Sequence, residues 1–159
     1  GILLNNEMDD FSVKPNTPNQ FNVIGGEANA IAPGKRMLSS MSPTLVTNAG
    51  EPFLITGSPG GSTIITTVLQ VIVNVVDHQM NIDDAVSQPR IHHQWLPNTI
   101  YYDNFAISPD TLNNLKSMGH VGFSKSWGRG IGDANSIMIK GGIISGTKDP
   151  RNEGGVFGY

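Results

Sequence analysis

Thr44-Leu45-Val46-Thr47, Asn48-Ala49-Gly50 and Phe53-Leu54-Ile55-Thr56 lead into Gly57-Ser58-Pro59-Gly60-Gly61-Ser62 and then an apolar run from Ile64 to Val76. Two apolar, β-branched segments around a glycine-bearing turn predict a β-hairpin. Beyond the glycines, Ile64, Ile65, Val68, Leu69, Ile72, Val73 and Val76 recur at three- and four-residue spacing. The length of that run predicts a buried helix despite its β-branched content. The stretch therefore reads strand, glycine turn, helix.

The rest of the chain extends the same pattern. Asn81, with Asp84 three residues on, opens a short helix that Pro89 stops, and Ser108-Pro109-Asp110 opens another that ends at Gly119. Ile91 to Trp95 and Thr99 to Tyr102 are expected as strands. Ser136 to Lys140, Gly141-Gly142 and Ile143 to Ser145 form a second hairpin with a two-glycine turn. This order predicts an α+β fold with an antiparallel sheet. Residues 12 to 36, with Pro15, Pro18, Gly25, Gly26, Pro33 and Gly34, read as a long irregular surface segment.

Composition limits the function. The chain has 159 residues, of which 38% are hydrophobic and 14% charged, enough apolar content for a packed core. Glycines and prolines are spread along its length, so residues 1–159 are expected to form a single domain. A net charge of −3 without a dense Lys/Arg run argues against nucleic-acid binding and against an anionic membrane surface. The absence of cysteine removes disulfides, thiolate nucleophiles and Cys-ligated metals. No apolar run is long enough to span a membrane, because the best candidate, Ile64 to Val76, is interrupted by Thr66, Thr67, Gln70 and Asn74. The apolar opening Gly1-Ile2-Leu3-Leu4, without Met or cap, suggests a cleaved or truncated start.

Three clusters can do chemistry. Gly60-Gly61 lies at a strand-to-helix junction, where backbone N–H groups are available at the positive end of a helix dipole. Such donors suit a phosphate or a developing oxyanion. No Lys follows, so the Walker pattern fails, and a glycine turn needed only for close packing is the alternative. Asn5-Asn6-Glu7-Met8-Asp9-Asp10 sets three carboxylates beside two amides, which suits a substrate ammonium or else a solvated turn. In a strand Glu7 and Asp10 would point to opposite faces, so their joint use requires a bend. Leu38-Ser39-Ser40-Met41-Ser42-Pro43 offers hydroxyls that could grip a carboxylate or simply cap a turn. His78, His92, His93 and His120 form neither a zinc pair nor a triad and are expected to be structural, while Trp95 and Trp127 are expected to pack.

Taken in order, Leu4 to Phe11, Lys35-Arg36-Met37-Leu38-Ser39-Ser40-Met41-Ser42-Pro43-Thr44, Gly57 to Ser62, Pro89-Arg90-Ile91-His92-His93-Gln94-Trp95-Leu96-Pro97, Asp149-Pro150-Arg151 and Gly158-Tyr159 resemble the small subunit of the γ-glutamyltranspeptidase, or glutathione hydrolase, family. The likeness runs essentially end to end. It implies the αββα sandwich of the N-terminal nucleophile hydrolases, incomplete in this chain, and an autoprocessed precursor. It also implies acyl transfer from glutathione or another γ-glutamyl amide to water or to an acceptor amino acid or peptide, without metal or cofactor. By the same resemblance Gly60 and Gly61 would form the oxyanion hole, Ser39 and Ser40 would hold the substrate α-carboxylate, and Glu7 and Asp10 would receive its α-amino group.

One departure from the family pattern limits the reading. The family's nucleophilic threonine precedes the Asn-Asn-Glu-Met-Asp-Asp-Phe block, and no residue here matches it. The large subunit, which in the family adds an arginine for the α-carboxylate, is the expected partner. A periplasmic or secreted location is implied by resemblance only. The alternative is a catalytically inactive glutamyl-binding or structural fragment. An isolated chain of this kind is expected to expose sheet edge and apolar face, and so to aggregate or to need a partner.

Overall fold

The computed structural model describes residues 1–4, 7–125 and 130–158. Asn5, Asn6 and Trp127 lie outside the described residues. By their contacts the residues gather into two compact units, Gly1–Met41 and Ser42–Tyr159.

The first unit is largely irregular, as its proline and glycine content predicts. It contains two single 3₁₀ turns, Glu7–Asp10 and Glu27–Asn29, and two isolated bridges, Ser12 to Ala30 and Pro18 to Ile24. Asn29 joins the two turns: its carbonyl accepts from Ser12 N at 2.9 Å, and its side chain donates to the Asp10 carbonyl at 2.6 Å. The Lys35 ammonium donates to the Ala28 and Ala30 carbonyls at 2.7 and 2.8 Å. Gly25 is required where it stands, because a Cβ there would meet Ser12 Oγ at 2.1 Å.

The second unit begins with the expected hairpin, β1 (Thr44–Asn48) and β2 (Glu51–Thr56). Val46 faces Leu54 but Thr47 faces Pro52, so Phe53 is an extra residue in β2, a bulge. Helix α1 (Thr63–Val76) follows, and it buries Ile64, Thr67, Val68, Val71 and Val75, the one-sided repeat of an amphipathic helix. Helix α2 (Ile82–Ser87) is capped by Asn81, whose side chain accepts from Asp84 N at 2.9 Å. β3 (Ile91–His92) and β4 (Thr99–Tyr102) pair antiparallel. Helix α3 (Pro109–Ser117) is capped by Ser108, and β5 is Gly122–Lys125. β6 (Ser136–Lys140) and β7 (Ile143–Thr147) form the second hairpin.

The strands form a four-stranded antiparallel sheet, in the order β1-β2-β6-β7, and a three-stranded sheet, β3-β4-β5. The four-stranded sheet is the expected antiparallel one, whereas in the second sheet β4 and β5 run parallel. The physical reason is α3. A tight turn can only reverse a chain, whereas an intervening helix returns it to start the next strand in the same direction. The strand expected over Ile91 to Trp95 stops at His92. Trp95 adopts φ +71° in the turn that follows and is 75% exposed, so it does not pack as expected.

Helices α1 and α2 cover one face of the four-stranded sheet around Leu54, Val71, Val75, Ile82, Ala85, Val86 and Ala134. On the other face Leu45, Ile55 and Ile137 line up across β1, β2 and β6 and are exposed. The period of two that buries Leu54 and partly buries Met138 turns these apolar residues outward.

Candidate active site

In the first unit the acidic block folds as a 3₁₀ turn. Residues three apart eclipse in that conformation, so Glu7 and Asp10 share a side, which meets the requirement for a bend. A hydrogen bond with Asp10, reinforced by the charge of Asp10, raises the Glu7 carboxyl above its usual 4.5. The third acid, Asp9, accepts instead from the Gln20 amide at 3.2 Å. Ser40 Oγ donates to Asp10 Oδ2 at 3.1 Å, and Ser39 Oγ accepts from Met41 N at 3.3 Å. Four residues singled out in the sequence, Glu7, Asp10, Ser39 and Ser40, thus lie in one unit, with Asp10 linked to both Glu7 and Ser40.

In the second unit β2 ends at Thr56, and the chain turns through Gly57 to Ser62 into α1. Gly60 and Gly61 take φ +140° and +56°, backbone that side chains disfavour, and a Cβ on Gly60 would meet Thr63 Oγ1 at 2.4 Å. Their carbonyls close the first helical turn. Gly60 O accepts from Thr63 N at 3.1 Å and Thr63 Oγ1 at 2.9 Å, and Gly61 O accepts from Ile64 N at 3.2 Å. Among the described residues neither glycine amide has an acceptor, and both belong to the positive end of a 14-residue helix. This arrangement can stabilise a localised negative charge.

Behind the turn lies a segment that the sequence reading left without a role. Gly130 to Ala134 is fixed by two arginines and two aspartates. Arg90 donates to the carbonyls of Ile131 at 2.8 Å and Val86 at 2.7 Å and pairs with Asp149 at 2.7 Å. Asp149 accepts from Ala134 N at 2.7 Å, and Asp103 accepts from Ile131 N at 3.0 Å. Arg151 bridges the acids, 2.7 Å from Asp103 and 3.0 Å from Asp149. Arg90 and Asp149 are each only 1% exposed. Burial lowers the Arg90 guanidinium from its usual value, with the charge of Arg151 adding to the effect, while Asp149 and Asp103 oppose it. For Asp149 burial is the largest single influence and pushes the carboxyl up. The amides of Ala134 and Arg151 together with Arg90 outweigh it, and the group stays below its usual 3.8. In the sequence Pro89-Arg90 and Asp149-Pro150-Arg151 set charges beside prolines, but nothing local shows that the two segments meet.

The expected structural histidine is clearest at His92. It is 3% exposed, with Nδ1 2.8 Å from Thr66 Oγ1 and Nε2 2.9 Å from Gln94 Oε1. Among the described residues no group of three or more His, Asp or Glu could hold a metal ion. No helix among them is long and apolar enough to cross a membrane. A cleft of about 370 Å³ lined by Val46, Phe53, Val75, Met80 and Met138 lies at the opposite end of α1 from Gly60.

Comparison with known proteins settles the family. The model of the gamma-glutamyltranspeptidase family matches residues 1–159. The chain belongs to that family. It is 50% identical over 153 residues to the glutathione hydrolase proenzyme of Escherichia coli K12, covering 96% of this chain and 26% of that protein. The glutathione hydrolase proenzyme of Pseudomonas aeruginosa is 47% identical, with 97% of this chain and 28% of that protein covered. The chain therefore spans about a quarter of the length of these curated relatives. A solved structure of a point mutant of Helicobacter pylori gamma-glutamyltranspeptidase superposes with a TM-score of 0.88 at 51% identity, covering 96% of this chain and 82% of that one. The gamma-glutamyltranspeptidase fold seen here is α+β, of the N-terminal nucleophile hydrolase type.

Proposed function

We propose that this chain is the C-terminal part of the small subunit of a glutathione hydrolase. It would act with the large subunit of the same precursor and with a threonine nucleophile supplied from outside these residues. The reaction is γ-glutamyl transfer. The threonine hydroxyl attacks the γ-amide carbonyl of glutathione or a similar donor, the amine leaves with a proton, and water or an acceptor amino acid takes the acyl group.

In this reading the Gly60 and Gly61 amides hold the oxygen that becomes negative in the tetrahedral intermediate. The hydroxyls of Ser39 and Ser40 bind the substrate α-carboxylate, while Glu7 and Asp10 bind its ammonium. Charge-assisted contacts to both ionic groups of a glutamyl head fix its orientation before attack. The enzyme would work in the periplasm or outside the cell.

The observation that supports this reading best is the pair of amides before α1 that have no acceptor among the described residues, in a chain that the family model matches throughout. The test is glutamate release from glutathione by the matured full-length precursor. Turnover is the expected result. Glutamate binding without turnover would instead assign the chain to an inactive glutamyl-binding protein.

A further inference from the structure

An oxyanion donor is useful only if its peptide plane points the right way, and a peptide beside glycine is easily turned over because glycine permits both orientations. In a trans peptide the carbonyl and the N–H point in opposite directions, so whatever grips the carbonyl aims the amide. The carbonyl sharing a peptide with the Gly60 N–H is that of Pro59. Ser58 Oγ donates to it at 2.7 Å. The same hydroxyl oxygen accepts from Asp133 N at 2.8 Å, 75 residues away in sequence. Asp133 lies between Ile131 and Ala134, the residues that Arg90, Asp103 and Asp149 hold in place.

The next peptide repeats the arrangement. The carbonyl paired with the Gly61 N–H is that of Gly60, which Thr63 Oγ1 grips at 2.9 Å alongside Thr63 N at 3.1 Å. Each amide of the pair therefore has a hydroxyl donating to the opposite end of its own peptide. Donation to a carbonyl also polarises the peptide and makes its N–H a stronger donor. The approach of the two segments is close. Gly132 has φ +71°, and a Cβ there would meet Thr67 Oγ1 at 2.3 Å and Ser58 Oγ at 2.9 Å.

We propose that Ser58, anchored by the Asp133 amide, is a positioning residue that orients the Gly60 N–H toward the reacting oxygen, with Thr63 doing the same for Gly61. The inference rests on the oxyanion role given to these glycines under the proposed function. Thr63 contributes less, because its backbone amide keeps hold of the Gly60 carbonyl when the hydroxyl is removed.

The test uses the matured full-length enzyme with a chromogenic γ-glutamyl anilide, comparing wild type, Ser58→Ala, Ser58→Thr and Thr63→Val. Ser58→Ala should lower kcat about tenfold or more, while KM and the inhibition constant of L-glutamate stay within about threefold, since product glutamate develops no oxyanion. Ser58→Thr should restore most of kcat, and Thr63→Val should lose less than Ser58→Ala. Hydrogen exchange at the Asp133 amide, which loses its Ser58 acceptor, should quicken in Ser58→Ala with α3 unchanged, a readout that works even if this variant fails to mature. A kcat within threefold of wild type, a loss seen only in KM and melting temperature, or unaltered exchange at the Asp133 amide overturns the inference. Wild-type enzyme without γ-glutamyl turnover overturns the function itself, and the positioning role falls with it.

Discussion

Ser40 Oγ donates its proton to Asp10 Oδ2 at 3.1 Å, which joins two groups assigned to opposite charges of a glutamyl substrate. A hydroxyl has one proton to give. Ser40 must therefore surrender its bond to Asp10 before it can donate to a substrate carboxylate. Among the described residues Ser39 Oγ only accepts, from Met41 N at 3.3 Å, so its proton has no acceptor to give up there. We expect Ser39→Ala to raise KM for a γ-glutamyl donor about tenfold, the size of one hydrogen bond to a charged group at ~1.5 kcal/mol. Ser40→Ala should cost less, because the wild-type bond is gained at the expense of another. Steady-state kinetics on the two variants checks the order.

Under the proposed function, Glu7 should make the head-group site pH-dependent. Its carboxyl titrates above 4.5 because of its bond with Asp10 and the neighbouring charge. A bound ammonium favours the ionised carboxylate and must displace that proton. KM for the donor should therefore rise as pH falls through the raised value, while Glu7→Gln should flatten that rise and have a higher KM at neutral pH. A KM profile that is the same in wild type and Glu7→Gln contradicts the assignment.

Much of this was legible in local sequence, and what was not has identifiable causes. The two hairpins, α1, α2 and α3 follow from periodicity, glycine turns and the caps Asn81 and Ser108, all of which act within a few residues. β5 was missed because Gly122-Phe123-Ser124-Lys125 is short and has no β-branched residue, so its pairing with β4 decides it. Trp95 was misjudged because the +71° backbone that turns it outward has no signature in a tryptophan. That the glycine pair sits just before a helix could be read from the sequence. The clamp of Arg90, Asp103, Asp149 and Arg151 could not, because it joins residues up to 61 positions apart and nothing local requires them to meet.

At the proposed oxyanion turn, Gly60→Pro removes an N–H outright and demands φ near −65° where the chain has +140°. The loss of one donor is worth ~10² or more in kcat. We expect at least that fall. Activity within tenfold of wild type would show that this amide does not face the reacting oxygen.

The buried clamp should dominate stability, and its pH dependence has a definite sign. Asp149 is ionised in the fold and sits below its usual 3.8, so the stability it contributes is fully present above that value and is lost as pH falls through the lower, folded one. Asp149→Asn leaves Arg90, itself 1% exposed, with a buried charge short of its partner. Breaking a buried pair in this way costs about 3–5 kcal/mol. Asp83→Asn is a useful contrast. That carboxylate accepts a single hydrogen bond from Thr147 Oγ1 at 2.6 Å and pairs with no arginine among the described residues, so it should cost about 1 kcal/mol. Thermal melts of the matured enzyme between pH 3 and 7 should show the Asp149→Asn protein far less stable at neutral pH and the gap to wild type narrowing toward acid. A gap that widens as pH falls would mean that Asp149 is protonated in the fold and that the Arg90 charge is balanced elsewhere.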